Sequence, residues 1–315
     1  MPAAKDVIAV HELTKSFAGI VAVDRLSFSV QQGEIFGLVG PDGAGKTTTM
    51  RMLAGVLAPD RGTVLVAGHD VINAPETAKH CISYMPQRFG LYEELSVQEN
   101  IRFYADLFGV KRAEREQRSS QLLAAAGMSE FPERLTGKLS GGMKQKLGLV
   151  CALIHTPEVI LLDEPTNGVD PVSRRDFWRI LYTLLDQGVT ILTTTAYLDE
   201  ADRCHRIAML HEGHLLFCDT PANLKQNLPG TVLSVISARS REIRALLQGS
   251  DGISSMMLVG DGLHLVVHDA ARLLPELSAR IAAAGLPLER IEAVAPSIED
   301  LFIEAVQGTG KAGAP

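Results

Sequence analysis

Aromatic side chains are scarce in this 315-residue chain, at 5%, with a single tryptophan, Trp178. Two pairs among the nine histidines are closely spaced, His211/His214 and His264/His268, but neither falls in a helical pattern that would bring both rings to one face, so a structural metal is not expected. The four cysteines, Cys81, Cys151, Cys204 and Cys218, show no CxxC spacing. They suit reduced thiols of a cytosolic protein rather than a disulfide framework. No apolar run approaches the roughly 18 residues that a membrane-spanning helix needs. The opening MPAAKDVIAV lacks the basic region and long apolar stretch of a secretory leader. Any membrane role is therefore expected to pass through a partner. A net charge of −7 gives no excess of Lys and Arg for a nucleic-acid surface, so no nucleic acid is expected as partner. Internal repeats are absent as well.

What remains is ordinary globular composition, 46% hydrophobic and 21% charged, at a length that suits two domains. Apolar runs at 7–13, 26–30, 35–39, 63–66, 82–85, 159–163, 189–194 and 207–211 read as strands. Helical patterns fall near 45–56, 96–109, 111–126, 140–155 and 173–187. Strand–helix alternation predicts an α/β domain over 1–230 with a largely parallel core sheet. Residues 88–155 carry helical patterns only and are expected to form a helical subdomain inserted between two sheet strands. After Leu228-Pro229-Gly230 the character changes. Strands at 231–237, 254–259 and 262–268, with helices at 240–248, 270–284 and 297–306, predict a small α+β domain over 231–307. Gly260-Asp261-Gly262 marks a hairpin within it. The tail, 308–315, is poor in apolar groups and is expected to be disordered, or to be a linker in a longer chain.

Residues 40–47 read GPDGAGKT and fit G-x-x-x-x-G-K-[ST] between a strand, IFGLV, and a helix, TTTMRMLAGVL. Backbone N–H groups of such a loop turn inward around phosphate oxygens, and the helix N-terminus adds partial positive charge. The stretch Gly40, Pro41, Asp42, Gly43, Ala44, Gly45, Lys46, Thr47 and Thr48 is thus the expected nucleotide site. Lys46 would reach the β- and γ-phosphates, and Thr47 would ligate Mg2+.

VILLDEP, 159–165, is a buried strand ending in two acids. Successive side chains point to opposite sides, so Asp163 and Glu164 have different tasks. Asp163 suits the metal near Thr47. Glu164 suits the water that attacks the γ-phosphate, since the protein's part in phosphoryl transfer is mostly positioning and charge neutralisation. A second anion site lies in LSGGMKQ, 139–145, where Ser140 is a good N-cap and Gly141 and Gly142 leave the first helical N–H groups open.

The phosphate loop, Gln87, LSGGMKQ, VILLDEP and GVDP (168–171) occur in this order and spacing. Over about residues 7–225 the chain resembles the nucleotide-binding subunit of ABC transporters. The resemblance implies a P-loop NTPase fold of ABC type, with ATP and Mg2+ as ligands. It makes Phe17 the aromatic that stacks on adenine and Gln87 a link between metal, water and helical subdomain. Asp170 becomes the acid that crosses the dimer interface, and Ser140, Gly141, Gly142 and Gln145 a grip on the mate's ATP. It further implies a head-to-tail dimer with a second ABC ATPase subunit or domain, two ATP molecules between the halves, and an integral membrane permease as partner. The expected place is the cytoplasmic face of the inner (cell) membrane.

One position departs from the family's pattern. In TTTAYLDEA, 193–201, Ala196 stands where the family has a histidine that contacts the γ-phosphate. A methyl group neither donates a hydrogen bond nor carries charge. Either this chain's own site is impaired and a competent partner completes a heterodimer or tandem, or Thr194, Thr195 or a water covers for the ring. Asp42 for asparagine and Val169 for leucine are smaller departures.

TTTAYLDEAD and APSIEDLFIEA resemble the drug-export branch. Tyr84, Phe89, Tyr92, Phe103, Tyr104 and Phe108 crowd one stretch, as a groove for a membrane partner or as the subdomain's own core. A soluble ABC ATPase acting on ribosomes or DNA, and a non-hydrolysing ATP-binding module, are the rival readings.

Overall fold

The structure, a computed structural model, describes residues 5–312, with side chains to 307. The chain forms two compact units, the first ending at Cys218 and the second beginning at Asp219.

The first unit opens with β1 (Asp6–Phe17), β2 (Ile20–Gln31), β3 (Ile35–Val39), α1 (Lys46–Leu53), β4 (Arg61–Val66), β5 (His69–Asp70), α2 (Pro75–Lys79) and β6 (Ile82–Met85). Three helices follow without a strand: α3 (Val97–Leu107), α4 (Arg112–Ala125) and α5 (Gly141–Leu153). Then come β7 (Val159–Leu162), α6 (Pro171–Asp186), β8 (Thr190–Thr195), β9 (Arg206–His211) and β10 (His214–Asp219). The main sheet has the order β10-β9-β3-β8-β7-β6, and the pairs from β9 to β6 are parallel. Its central strands β3, β7 and β8 are buried along their whole length. Continuous apolar runs, rather than alternation, are what a sheet covered on both faces requires.

A second sheet, β2-β1-β4-β5, is antiparallel. The core includes Ile8, Leu13 and Leu26 from this sheet, Met50, Met52 and Leu53 from α1, and Phe36, Leu161 and Leu192 from the main sheet. The helical insertion α3–α5 leaves the main sheet after β6 and returns at β7, its parallel neighbour. Ser96 and Glu99 cap α3 reciprocally, and buried Asn100 donates to the carbonyls of Tyr92 and Ser96 and to Thr136.

The parallel order has a functional consequence. Open α/β sheets bind ligands outside the carboxyl ends of their strands. Here those ends lead into Gly40 after β3, Gln87 after β6, Asp163 and Glu164 after β7, and Ala196 after β8.

The second unit holds α7 (Pro221–Gln226), β11 (Thr231–Ile236), α8 (Ser240–Leu247), β12 (Ile253–Val259), β13 (Gly262–Val267), α9 (Ala270–Ala283), β14 (Arg290–Val294) and α10 (Ile298–Ala312). Its sheet is antiparallel with the order β12-β13-β11-β14, a ferredoxin-like βαββαβ arrangement. Leu263, Leu265 and Val267 face a core shared with α8 and α9. His264 points to the other face and meets Asp300 of α10 at 2.9 Å. Ser254 Oγ donates to Glu304 on the same helix.

Three differences from the sequence reading stand out. The unit boundary falls before α7 rather than at 230, because α7 packs on α10. The edge strand β14, RIEAV, was hidden by its charges: an edge needs only one buried side and tolerates polar residues. α10 continues to Ala312, into the tail expected to lack structure, and 313–315 lie outside the described residues.

Candidate functional site

The loop after β3 enters α1 at Gly45, its N-cap, which adopts φ 99°. A Cβ there would stand 2.5 Å from the Ala22 carbonyl oxygen, so the position is limited to glycine by both conformation and space. Lys46, the first residue of α1, turns back over the loop. Its Nζ donates to the carbonyls of Gly40 at 2.8 Å and Pro41 at 3.0 Å, and lies 3.2 Å from Glu164 Oε1.

Three further strand ends deliver side chains to the same place. Thr47 Oγ1 donates to Asp163 Oδ1 at 3.1 Å, and Gln87 Nε2 donates to Thr47 Oγ1 at 3.2 Å. Burial pushes the Asp163 carboxyl above its ordinary range, against hydrogen bonds from Thr194 and Thr47. The same burial, with Asp163 beside it, raises the Tyr84 phenol to about 12, and Tyr84 OH donates to Asp163 Oδ2 at 3.4 Å. Glu164 sits at φ 48°. The left-handed region is costly for a side-chain-bearing residue and is found where surrounding bonds enforce it. Its amide donates to Thr194 Oγ1 at 2.8 Å, and Thr194 Oγ1 donates onward to Asp163 Oδ1, also at 2.8 Å. One buried hydroxyl thus holds both acids.

The loop, Thr47, Thr48, Gln87, Glu164 and Asn167 line an open cavity of about 440 Å³. A second cavity of about 180 Å³ adjoins it, lined by Asp42, Glu164, Thr166, Asn167, Thr195, Ala196 and Tyr197. A phosphate-cradling glycine loop, a buried lysine and an acid pair at the carboxyl ends of parallel strands make a nucleotide site by their chemistry. The family model described as ABC transporter matches residues 23–167, which contain all of these groups. The daunorubicin/doxorubicin resistance ATP-binding protein DrrA of Streptomyces peucetius is 40% identical over 77% of this chain and 74% of its own length.

The chain belongs to the ABC transporter family. The probable multidrug ABC transporter ATP-binding protein YbhF of Escherichia coli (strain K12) is 42% identical over 98% of this chain and 54% of that protein. The chain therefore spans about half the length of the first curated relatives it matches. A solved ATP-binding subunit of an ABC transporter superposes with a TM-score of 0.64 at 30% identity, over 70% of this chain and 92% of that one.

Against that family pattern, the structure gathers Gly40 to Thr48, Gln87, Asp163 and Glu164 at one place. Phe17, Ser140, Gly141, Gly142, Gln145 and Asp170 line neither cavity. Phe17 stands at the end of β1, 46% exposed, with Lys15 Nζ 5.6 Å from its ring. Ser140 caps α5 by accepting from the Met143 amide at 3.3 Å, and Gly141 beside it is exposed. Gly142 is buried, and a Cβ there would stand 2.5 Å from Ser173 Oγ. Asp170 caps α6 through the amides of Val172 and Ser173, and its hydrogen bonds with Ser173 hold its carboxyl below the ordinary range.

Ala196 is half-buried beside Glu164. Thr194 and Thr195, two of the three candidates to cover for an absent ring, each already have partners. Thr194 is committed to Asp163 and Glu164, and Thr195 donates to Glu200 at 2.7 Å while accepting from the Tyr197 amide. Asn167, and the bridging role of Thr194 between the two acids, are not among the sequence expectations. The signal was present: polar residues in a strand as buried as TILTTT must each find a partner.

Proposed function

We propose that this chain binds and hydrolyses ATP to power an integral membrane exporter, working as one half of a head-to-tail ATPase dimer. The observation that carries the reading is the convergence of Lys46, Thr47, Gln87, Asp163 and Glu164 on one glycine loop. Lys46 and the loop amides bind the phosphates. Glu164 accepts from the attacking water as its oxygen bonds to the γ-phosphorus. The bond to the β–γ bridging oxygen breaks, that oxygen leaves with ADP, and the water's proton passes to Glu164 or the phosphate.

Mg2+ fits this donor set. It asks for hard oxygen ligands and takes only one or two carboxylates, with phosphates and waters completing its shell. Thr47 Oγ1 and the Asp163 carboxylate would supply such oxygens, with the Gln87 amide beside them, so the lack of a three-member His/Cys/Asp/Glu cluster among the described residues is no objection. Bound there, the ion would neutralise phosphate charge and favour ionised Asp163.

The exposed Ser140 tip of α5 lines neither of the two cavities around the glycine loop, which supports a role on a second subunit's nucleotide. Phe17 is accessible for stacking on adenine, and Asp170 for reaching across the interface. Among the described residues no helix is long and apolar enough to cross a membrane. In this reading a permease holds the chain at the cytoplasmic face. Tyr92, Phe103, Leu107 and Phe108 on and around α3 are each at least 39% exposed and offer its docking surface. With no ring at Ala196, the chain's own site turns over slowly.

Binding of a fluorescent ATP analogue to the purified full chain, with and without Mg2+, tests the first step. Steady-state hydrolysis and size-exclusion chromatography of Glu164→Gln with ATP test the second. Absence of ATP binding would end the reading. Binding and turnover by a strict monomer would end the dimer.

A further inference from the structure

We propose that Asn167, oriented by Tyr197, holds the Glu164 carboxylate in place for the attacking water. The proposal rests on the hydrolysis reading and adds two positioning residues to it.

Glu164 has two carboxylate oxygens, and each has one partner. Oε1 faces Lys46 Nζ at 3.2 Å, and Oε2 accepts from Asn167 Nδ2 at 3.1 Å. Lys46 is the group that phosphates recruit. Once it turns to them, Oε1 is released toward the nucleotide and the amide of Asn167 is the contact that remains. A carboxylate held by one oxygen keeps the other oxygen's lone pairs aimed at one spot, which is the geometric need of a base or water-orienting group. Asn167 lines both cavities, so it stands where the phosphate space and the space beside Ala196 meet.

An asparagine does this only if its NH2 rather than its oxygen faces the acid. The carboxylate, which can only accept, draws the NH2, and Tyr197 supports that choice from the other side. Its hydroxyl donates to Asn167 Oδ1 at 3.5 Å, the outer limit of a direct bond, which leaves Nδ2 for Glu164. Tyr197 is itself held on two sides. Its amide donates to Thr195 Oγ1 at 3.0 Å, and the Arg174 guanidinium lies 4.1 Å from its ring centroid. Arg174 reaches the ring from α6 and stays near buried Glu200, 3.6 Å away. The chain of contact thus runs from α6 through Tyr197 and Asn167 to Glu164. It performs part of the task that a ring at position 196 would share, without any group from Ala196.

The test uses the full chain with Asn167→Ala, Tyr197→Phe and the double variant. Asn167 is exposed and Tyr197→Phe keeps the ring over Arg174, so both variants are expected to fold, with melting temperature measured beside kcat to separate stability from turnover. Asn167→Ala is expected to lower kcat by at least about tenfold, the scale of a misplaced base, with Kd for the ATP analogue changed less than about twofold. Tyr197→Phe lowers kcat by a smaller factor at the same Kd. The double variant is no slower than Asn167→Ala alone, because the tyrosine acts through the asparagine. Unchanged kcat in Asn167→Ala, or multiplicative losses in the double variant, overturns the proposal. So does a wild-type chain that binds Mg·ATP and hydrolyses none of it, which leaves nucleotide binding standing. Failure to bind ATP at all removes the broader reading instead.

Discussion

Lys46 Nζ and Glu164 Oε1 lie 3.2 Å apart with both side chains under a tenth exposed. The lysine balances a buried acid as well as facing the phosphate space. Removing it should therefore cost stability as well as affinity. Lys46→Ala is expected to weaken ATP binding by at least about tenfold and to destabilise the fold by about 3 kcal/mol, the scale of an unpaired buried charge. Adding Glu164→Gln should restore the melting temperature but not the binding. Thermal unfolding and nucleotide titration of the two variants check both halves.

Thr194 bridges Asp163 and the amide of Glu164, a residue held at φ 48°. Thr194→Val keeps the volume and removes the bridge, leaving a buried amide unpaired at a cost of about 1–3 kcal/mol. The expected result is a lower melting temperature and a kcat reduced by about tenfold. Thr194→Ser, which keeps the hydroxyl, should match wild type in both. Equal losses in the two variants would show that the hydroxyl is not what matters.

The cavity of about 180 Å³ beside Ala196 has room for an imidazole ring. Ala196→His should raise kcat by about tenfold through a donor aimed at the γ-phosphate, measured by steady-state hydrolysis with the purified chain. A rate that stays level would mean that the histidine's task is already filled.

In the second unit, the hydrogen bond with Asp300 raises the His264 pKa above its ordinary value, so folding favours the protonated ring. Its contribution is full below the reference value of 6.5 and is lost as pH rises through the higher folded value. Asp300 behaves in the opposite sense. Burial opposes ionisation, but bonds from His264 and Ser297 hold the carboxyl below 3.8, and its contribution is lost as pH falls through that lower value. Attachment of α10 should therefore be firmest between about pH 4 and pH 6.5. Hydrogen exchange of α10 amides should speed up from pH 6 to pH 8 more than intrinsic exchange does, and His264→Gln should flatten the excess.

Much of this architecture was legible in the residue order. Gly40 to Thr47 and Asp163-Glu164 announce themselves because phosphate chemistry needs those groups at fixed spacing beside a strand. Runs such as IFGLV and VILLD read as central strands because nothing else buries both faces. Less visible were groups whose role depends on distant chain: Thr194 meets Asp163 only once β7 and β8 pair, and Asn167 meets Tyr197 across the same junction. The boundary at 218 was hidden for a similar reason, since α7 is assigned by its contact with α10 and not by its own pattern.

Gly142 has room for only a hydrogen atom against Ser173. The start of α5 and the start of α6 are consequently geared together like meshed teeth. Any side chain at 142 would wedge the two helix starts apart, and with them the Ser140 cap from the Asp170 cap.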